Sequence, residues 1–224
     1  MTISIAARCE RTGAFGVAIS SSSPSVGSRC PNVRAGVGAV SSQNVTDPRL
    51  GPALLDALAS GLPAHDALNT VSAAATHPEF RQLTVVDAHG TAAVFSGSKS
   101  LGINAEVIGP NVAAAGNMLD NDGVIQAMVD EFNTHPEREL ADRLIGCLEA
   151  GVAAGGEAGP VHSAAVVVAT DVAWPTTNLR VDWDDDPIKK LREIYAVWAP
   201  QAVDYVTRAL DPTSAPSYGV PGDE

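Results

Sequence analysis

The sequence predicts an α+β fold: a four-layer αββα sandwich in which two antiparallel sheets stack between helical layers. Three observations point there. Strand-like and helical segments come in blocks, as strands, two helices, strands, two helices, strands and a helix. Blocks of that kind suit stacked sheets better than a doubly wound parallel sheet. The chain opens with a hairpin, and a second hairpin follows the first helix pair. The core is aliphatic, with 45% hydrophobic residues but only 4% aromatic ones, as expected of layers packed through small side chains.

Each element has its own signal. Residues 3–9 alternate weakly and read as a strand, the segment Glu10-Arg11-Thr12-Gly13 as a turn, and residues 15–21 as the returning strand. Residues 20–27, small and polar, read as a loop. Residues 33–42 read as a third strand with glycines for close backbone approach, expected in the same sheet as the opening hairpin. Asp47-Pro48 opens a helix through Leu54, Leu55 and Leu58 that ends at Gly61. Pro63 opens another, with Ala67, Leu68, Val71 and Ala74 on one face. Residues 82–87 and 91–96 flank Ala88-His89-Gly90, and short strands are expected around Val107-Ile108 and residues 112–115. Helical spacing returns at Val124, Met128, Val129 and Phe132, then at Leu140, Leu144, Ile145 and Leu148. A glycine-rich loop over 150–159 leads into residues 163–170, a continuously apolar strand buried on both faces. A short strand over 179–183 and one amphipathic helix from Pro187 to about Leu210 complete a single domain, 1–210. Residues 211–224 are expected to be a flexible tail.

Composition narrows the function. The 224 residues carry 26 acidic and 14 basic side chains, a net charge of −12, and lysine only at Lys99, Lys189 and Lys190. No basic run is available to neutralise a phosphate backbone, so nucleic acid is not an expected partner. The opening Met1-Thr2-Ile3-Ser4-Ile5 has neither a positive nor an apolar leader region, and no stretch is long enough to span a bilayer. Cys9, Cys30 and Cys147 are odd in number and far apart, which suggests neither zinc nor a disulfide framework and fits a reducing cytoplasm. No metal or organic cofactor is expected. The expected partners are a small-molecule substrate and further copies of the chain, in a dimer or larger homo-oligomer.

Hydrolase elbows, phosphate loops, dinucleotide fingerprints and metalloprotease helices are all missing from the sequence. The five histidines lie apart, and only His162 enters a buried strand from a glycine-rich loop. Thr2 is the informative residue. Its side chain is small enough for ordinary removal of Met1, which would place a hydroxyl on the residue that bears the free α-amine. That amine titrates at about 7.7–8.0 when unperturbed, so near neutrality it can take the hydroxyl proton itself or through one water. The runs Ser20-Ser21-Ser22-Ser23 and Ser41-Ser42-Gln43-Asn44 follow strands that can neighbour Thr2 and supply donors to a developing oxyanion.

An ordered set of segments carries a resemblance. Thr2-Ile3-Ser4-Ile5-Ala6, Gly16-Val17-Ala18-Ile19-Ser20-Ser21, Arg34 through Val40 and Asp47-Pro48-Arg49-Leu50-Gly51-Pro52 come first. Gly116-Asn117-Met118-Leu119, Ser163-Ala164-Ala165 and Leu179-Arg180-Val181-Asp182 follow in order. Together, from Thr2 to about Tyr195, they resemble the bacterial domain-of-unknown-function 1028 family, grouped with the N-terminal-nucleophile (Ntn) hydrolases. The resemblance implies an Ntn hydrolase-like αββα fold and Thr2 as nucleophile, with the proteasome β-subunit as a more distant analogue. Many relatives carry lysine after the serine matching Ser21, where this chain has Ser22. The loop before Ser163, often basic in relatives, here contains Glu157 and His162.

The expected activity is hydrolysis of an amide-like C–N bond of a small molecule, with Thr2 catalytic. Ser21, Ser22, Arg34, Gln43, Asn44, Asn117 and His162 are the expected oxyanion or substrate contacts. Arg34 is the expected cation near Thr2, because no lysine precedes Lys99. The alternatives are a non-catalytic ligand-binding or assembly protein on the same fold, and a proteasome-like peptidase.

Overall fold

The computed structural model describes residues 1–222. One sheet has six strands in the order β10-β9-β2-β1-β8-β7: β1 Thr2–Arg8, β2 Phe15–Ser21, β7 Ala105–Gly109, β8 Val112–Asn117, β9 Ser163–Ala169 and β10 Thr177–Val181. The other has four, in the order β3-β4-β5-β6: β3 Pro31–Arg34, β4 Gly38–Asn44, β5 Arg81–Asp87 and β6 Ala92–Ser96. Every strand pair in both sheets is antiparallel.

Side-chain alternation along the strands fills three layers. Ile3, Ile5 and Ala7 of β1 face α3 (Val124–Thr134) and α4 (Leu140–Ala153), meeting Ile125, Met128, Leu144, Ile145 and Leu148. Val40, Leu83 and Val85 of the smaller sheet meet Leu54, Leu55, Leu58 and Leu68 of α1 (Leu50–Ala59) and α2 (Ala64–Ala74). Between the sheets lie Ala6, Phe15, Val17, Ala39, Val86, Ala92 and Ala113. This is the expected four-layer αββα sandwich, with the opening hairpin at the centre of the larger sheet and the 163–169 strand wholly buried beside it.

The structure corrects two elements. The strand expected over 33–42 is a hairpin, β3 and β4, reversed at Ala35–Val37, where Gly36 takes a φ of +69°. That hairpin belongs to the opposite sheet from β1 and β2, because a strand can neighbour another by hydrogen bonding or by stacking about 10 Å away. The single helix expected from Pro187 is α5 (Pro187–Trp198) and α6 (Ala202–Leu210), joined by a short 3₁₀ turn. Pro200 in that turn has no N–H to continue the α-helical ladder. Residues 211–222 of the expected tail form no helix or strand, and Asp223 and Glu224 lie outside the described residues.

Gly16 of β2 is the seat for α4: a Cβ built there would lie 2.5 Å from Leu144 Cδ1. Leu144 is fully buried, so Leu144→Ala is expected to cost about 2–5 kcal/mol in urea unfolding. Gly16→Ala, destabilising alone, should cost less in the Leu144→Ala background. Additive losses would show that the two residues do not share this contact.

Candidate functional site at the head of the central strand

β1 lies between β2 and β8, with Thr2 directly opposite Ser21 on one side and Asn117 on the other. Because Ile3, Ile5 and Ala7 face the helices, Thr2, Ser4 and Ala6 face the second sheet. The layer between the sheets therefore changes character along β1. It is apolar around Ala6, Phe15 and Val17, and polar at the Thr2 end, where Ser4, Ser21, Ser41, Gln43, Gln82, Thr84 and Asn117 are all buried.

Gln82 ties that polar end together. Its Oε1 accepts from Gln43 Nε2 (2.8 Å) and Asn117 Nδ2 (3.1 Å). Its Nε2 donates to Ser96 Oγ (3.0 Å) and to the Gly116 carbonyl (3.1 Å). Gln43 Nε2 also reaches the Ala115 carbonyl (3.1 Å), so the network crosses from the small sheet to β8 and fixes Asn117 beside Thr2.

The Thr2 hydroxyl meets a second cluster. Thr2 Oγ1 and Ser21 Oγ each lie 2.6 Å from the Met1 carbonyl oxygen, as donors, and 3.1 Å from each other. Ser21 Oγ also lies 2.9 Å from Ser23 Oγ, which accepts from Arg29 Nη2 at 2.6 Å. Arg29 is held in turn by the carbonyls of Pro24 (2.6 Å) and Ser25 (2.9 Å). A guanidinium thus stands two hydroxyls away from Thr2.

Glu157, from the loop after α4, approaches the same strand ends. Ser20 Oγ donates to its Oε1 (3.1 Å), while Oε2 has no well-formed hydrogen bond. Burial pushes its carboxyl up to about 7; the chain's terminal amine, Ser20 and the nearby Ser22 and Ile3 N–H groups oppose the rise. Met1 packs on the same loop, its Cε 2.9 Å from where a Gly159 Cβ would stand. Glu157 and Gly159 also line a cavity of about 540 Å³ that reaches the start of α5 at Pro187.

The expected site residues divide. Ser21 and Asn117 flank Thr2, Gln43 is tied to Asn117 through Gln82, and Ser22 Oγ accepts from the Met1 amine (3.4 Å). Asn44 serves the fold: its amide binds the Phe80 carbonyl (2.7 Å) and the Leu101 N–H (3.2 Å). His162 donates its backbone N–H to the Ser21 carbonyl (2.9 Å), but its ring stacks on Trp183 at 4.3 Å and so is engaged elsewhere. Arg34 is not the cation near Thr2. It pairs with Asp56 (2.8 Å) on the surface and sits opposite Gly38, at the other end of β4 from Gln43. Sequence reading missed Arg29, Gln82 and Glu157, although Glu157 stands out as a lone charge in a glycine- and alanine-rich loop. Among the described residues no three His, Cys, Asp or Glu side chains gather to hold a metal ion, and no helix is long and apolar enough to cross a membrane.

Glu157 also gives the fold a pH dependence. Its folded pKa lies above the ordinary carboxylate value, so the protonated form favours folding. That contribution is complete below about pH 4 and is lost as the pH rises toward about 7. Glu157→Gln is therefore expected to be more stable than the parent at about pH 8 and to lose most of that advantage at about pH 4. Equal urea midpoints at the higher pH would show that the carboxylate carries no burial cost.

The chain is similar to several solved structures. A crystal structure of a protein from Silicibacter pomeroyi, assigned to the same family as this chain, is similar at a TM-score of 0.82 and 31% identity, over 88% of this chain and 89% of that one. Two Anbu structures are more distant. The Hyphomicrobium sp. strain MC1 protein, a Gly-1 mutant, gives a TM-score of 0.43 at 11% identity over 91% and 96% of the chains. The Yersinia bercovieri protein, described as an ancestral β-subunit, gives 0.39 at 10% over 92% and 97%. Comparison with curated proteins found no match. Residues 2–191 match the family of unknown function DUF1028, and the chain belongs to that family.

Proposed function

We propose that, once Met1 is removed, the chain is an N-terminal-nucleophile hydrolase that cleaves an amide-like C–N bond of a small molecule. One observation carries this reading: the Thr2 hydroxyl is held by Ser21 at the head of the central strand, on the residue that would then bear the α-amine. In the reaction Thr2 Oγ1 attacks the carbonyl carbon, and its proton passes to the α-amine directly or through one water. The C–N bond breaks, the leaving amine takes that proton, and water hydrolyses the resulting ester to release the acid and restore the hydroxyl. The Met1 carbonyl, 2.6 Å from both hydroxyls, marks a place where a substrate oxygen can sit with Ser21 as donor.

A second reading has its own support. Met1 is seated on the Gly159 loop with its carbonyl on Thr2 and Ser21. If it stays there, Thr2 has no amine, and the chain is a non-catalytic binding or assembly protein on the same fold. The intact mass of the purified protein separates the two readings.

Thr2→Ala is expected to abolish hydrolysis in a screen of small amides without loss of folding, and Thr2→Ser to keep part of it. Full turnover by Thr2→Ala would remove Thr2 from the mechanism.

Activity should rise with pH along one acidic limb, as the amine loses its proton. The Arg29 guanidinium disfavours the charged amine and lowers that limb; ionised Glu157 favours it. Arg29→Ala should therefore move the limb up, Arg29→Lys should largely restore it, and Arg34→Ala should leave it unchanged. An unchanged profile in Arg29→Ala would reduce Arg29 to a brace for the loop.

A further inference from the structure

The far end of β1 carries a second cavity, of about 530 Å³, lined by Arg8, Arg11 and Arg143, by Glu10 and Glu137, and by Asn111. It is separated from Thr2 by the length of the strand, six residue steps or about 20 Å. In a chain of net charge −12, a hollow whose arginines outnumber its carboxylates by three to two runs against the overall charge.

Arg143 is the unusual member. It is only 7% exposed. Its Nη2 donates to the Phe132 carbonyl (2.7 Å) near the end of α3, and its guanidinium lies 3.9 Å from the Phe132 ring centroid. Its Nε has no hydrogen-bond partner. Arg8 donates from Nη1 to Asn111 Oδ1 at 3.3 Å. Neither Arg8 nor Arg143 has a carboxylate oxygen within 4.0 Å among the described residues. Of the two carboxylates in the lining, Glu137 lies 3.4 Å from His135 and Glu10 is exposed on its turn, while Glu139 pairs with Arg11 (3.2 Å).

A buried guanidinium without a directly paired carboxylate is costly, and burial depresses the pKa of Arg143, opposed in part by Cys9, Cys147 and Glu137 nearby. Ring stacking, a carbonyl and the more distant Glu137 offset part of that cost, but none of them meets the fork of the guanidinium with paired oxygens. The planar fork of arginine matches the two oxygens of a carboxylate or phosphate. We propose that this cavity is a binding site for a small oxyanion, a carboxylate- or phosphate-bearing molecule, held between Arg8 and Arg143 with Arg11 at the mouth.

Thermal unfolding of the intact protein tests this with inorganic phosphate in one arm and succinate in the other, each against chloride at matched ionic strength. At least one of them is expected to raise the Tm, with the logarithm of its concentration above its Kd, by about 5 °C or more at a hundredfold excess over that Kd. The responding arm identifies the headgroup. Arg8→Gln, at a half-buried position, should keep the fold and weaken the affinity tenfold or more, which about halves the shift at the same concentration; Arg143→Lys should do the same. Thr2→Ala should leave the effect intact, which separates this site from the hydrolase reading. No shift with either anion beyond that of chloride, or the parental affinity in Arg8→Gln, would overturn the proposal.

Discussion

The side-chain amide of Gln82 holds the site end of the molecule together. It is fully buried, and its two donors and its acceptor oxygen are all engaged with groups from both sheets. A buried amide in low dielectric is costly unless satisfied, and satisfied it admits few alternative geometries. Gln82 thus sets how β5 sits over β8, and through Asn117 it sets the wall beside Thr2. The remaining site follows from the register of β1 against β2, which brings Ser21 opposite Thr2, and from the loop that brings Arg29 to Ser23.

The interface between the sheets shows how one pair of sheets serves both stability and a polar site. At one end alanines, valines and Phe15 pack closely and exclude water. At the other, hydroxyls and amides take the same alternating positions. Not every group there is satisfied, since the hydroxyls of Ser4 and Thr84 are buried without a hydrogen-bond partner. Unmet polar groups of this kind are a cost that the rest of the fold must offset. The apolar half of the interface and the two helix-facing cores supply that offset.

Much of the fold was legible because its signals are local. Alternation marks the opening hairpin, an unbroken apolar run marks β9, and 3.6-residue spacing marks α3 and α4. What escaped depends on tertiary geometry. The β3–β4 hairpin reads as one strand, because the reversal at Gly36 leaves few polar residues to mark it. Its assignment to the other sheet rests on stacking that no periodicity encodes. The same limit misplaced the cation. Strand order brings Arg34 near Thr2, but Arg34 lies at the wrong end of its hairpin, while Arg29 reaches the site along a loop. Thr2 was legible from its place behind Met1, Ser21 and Gln43 from polar runs that close a strand, and Asn117 from a segment that carries the family resemblance; all four lie at strand ends. Glu157 and Gln82 matter through burial, which sequence alone does not show.

The central claim is that the Thr2 hydroxyl is a nucleophile made competent by its own amine. Covalent capture tests it most directly. The purified protein is incubated with an activated acyl donor, and the modified residue is located by peptide mass spectrometry. The account predicts a chain that begins at Thr2 and carries one acyl group on that residue's side-chain oxygen, with no such labelling in Thr2→Ala. A chain that begins at Thr2 but is acylated only elsewhere would contradict it.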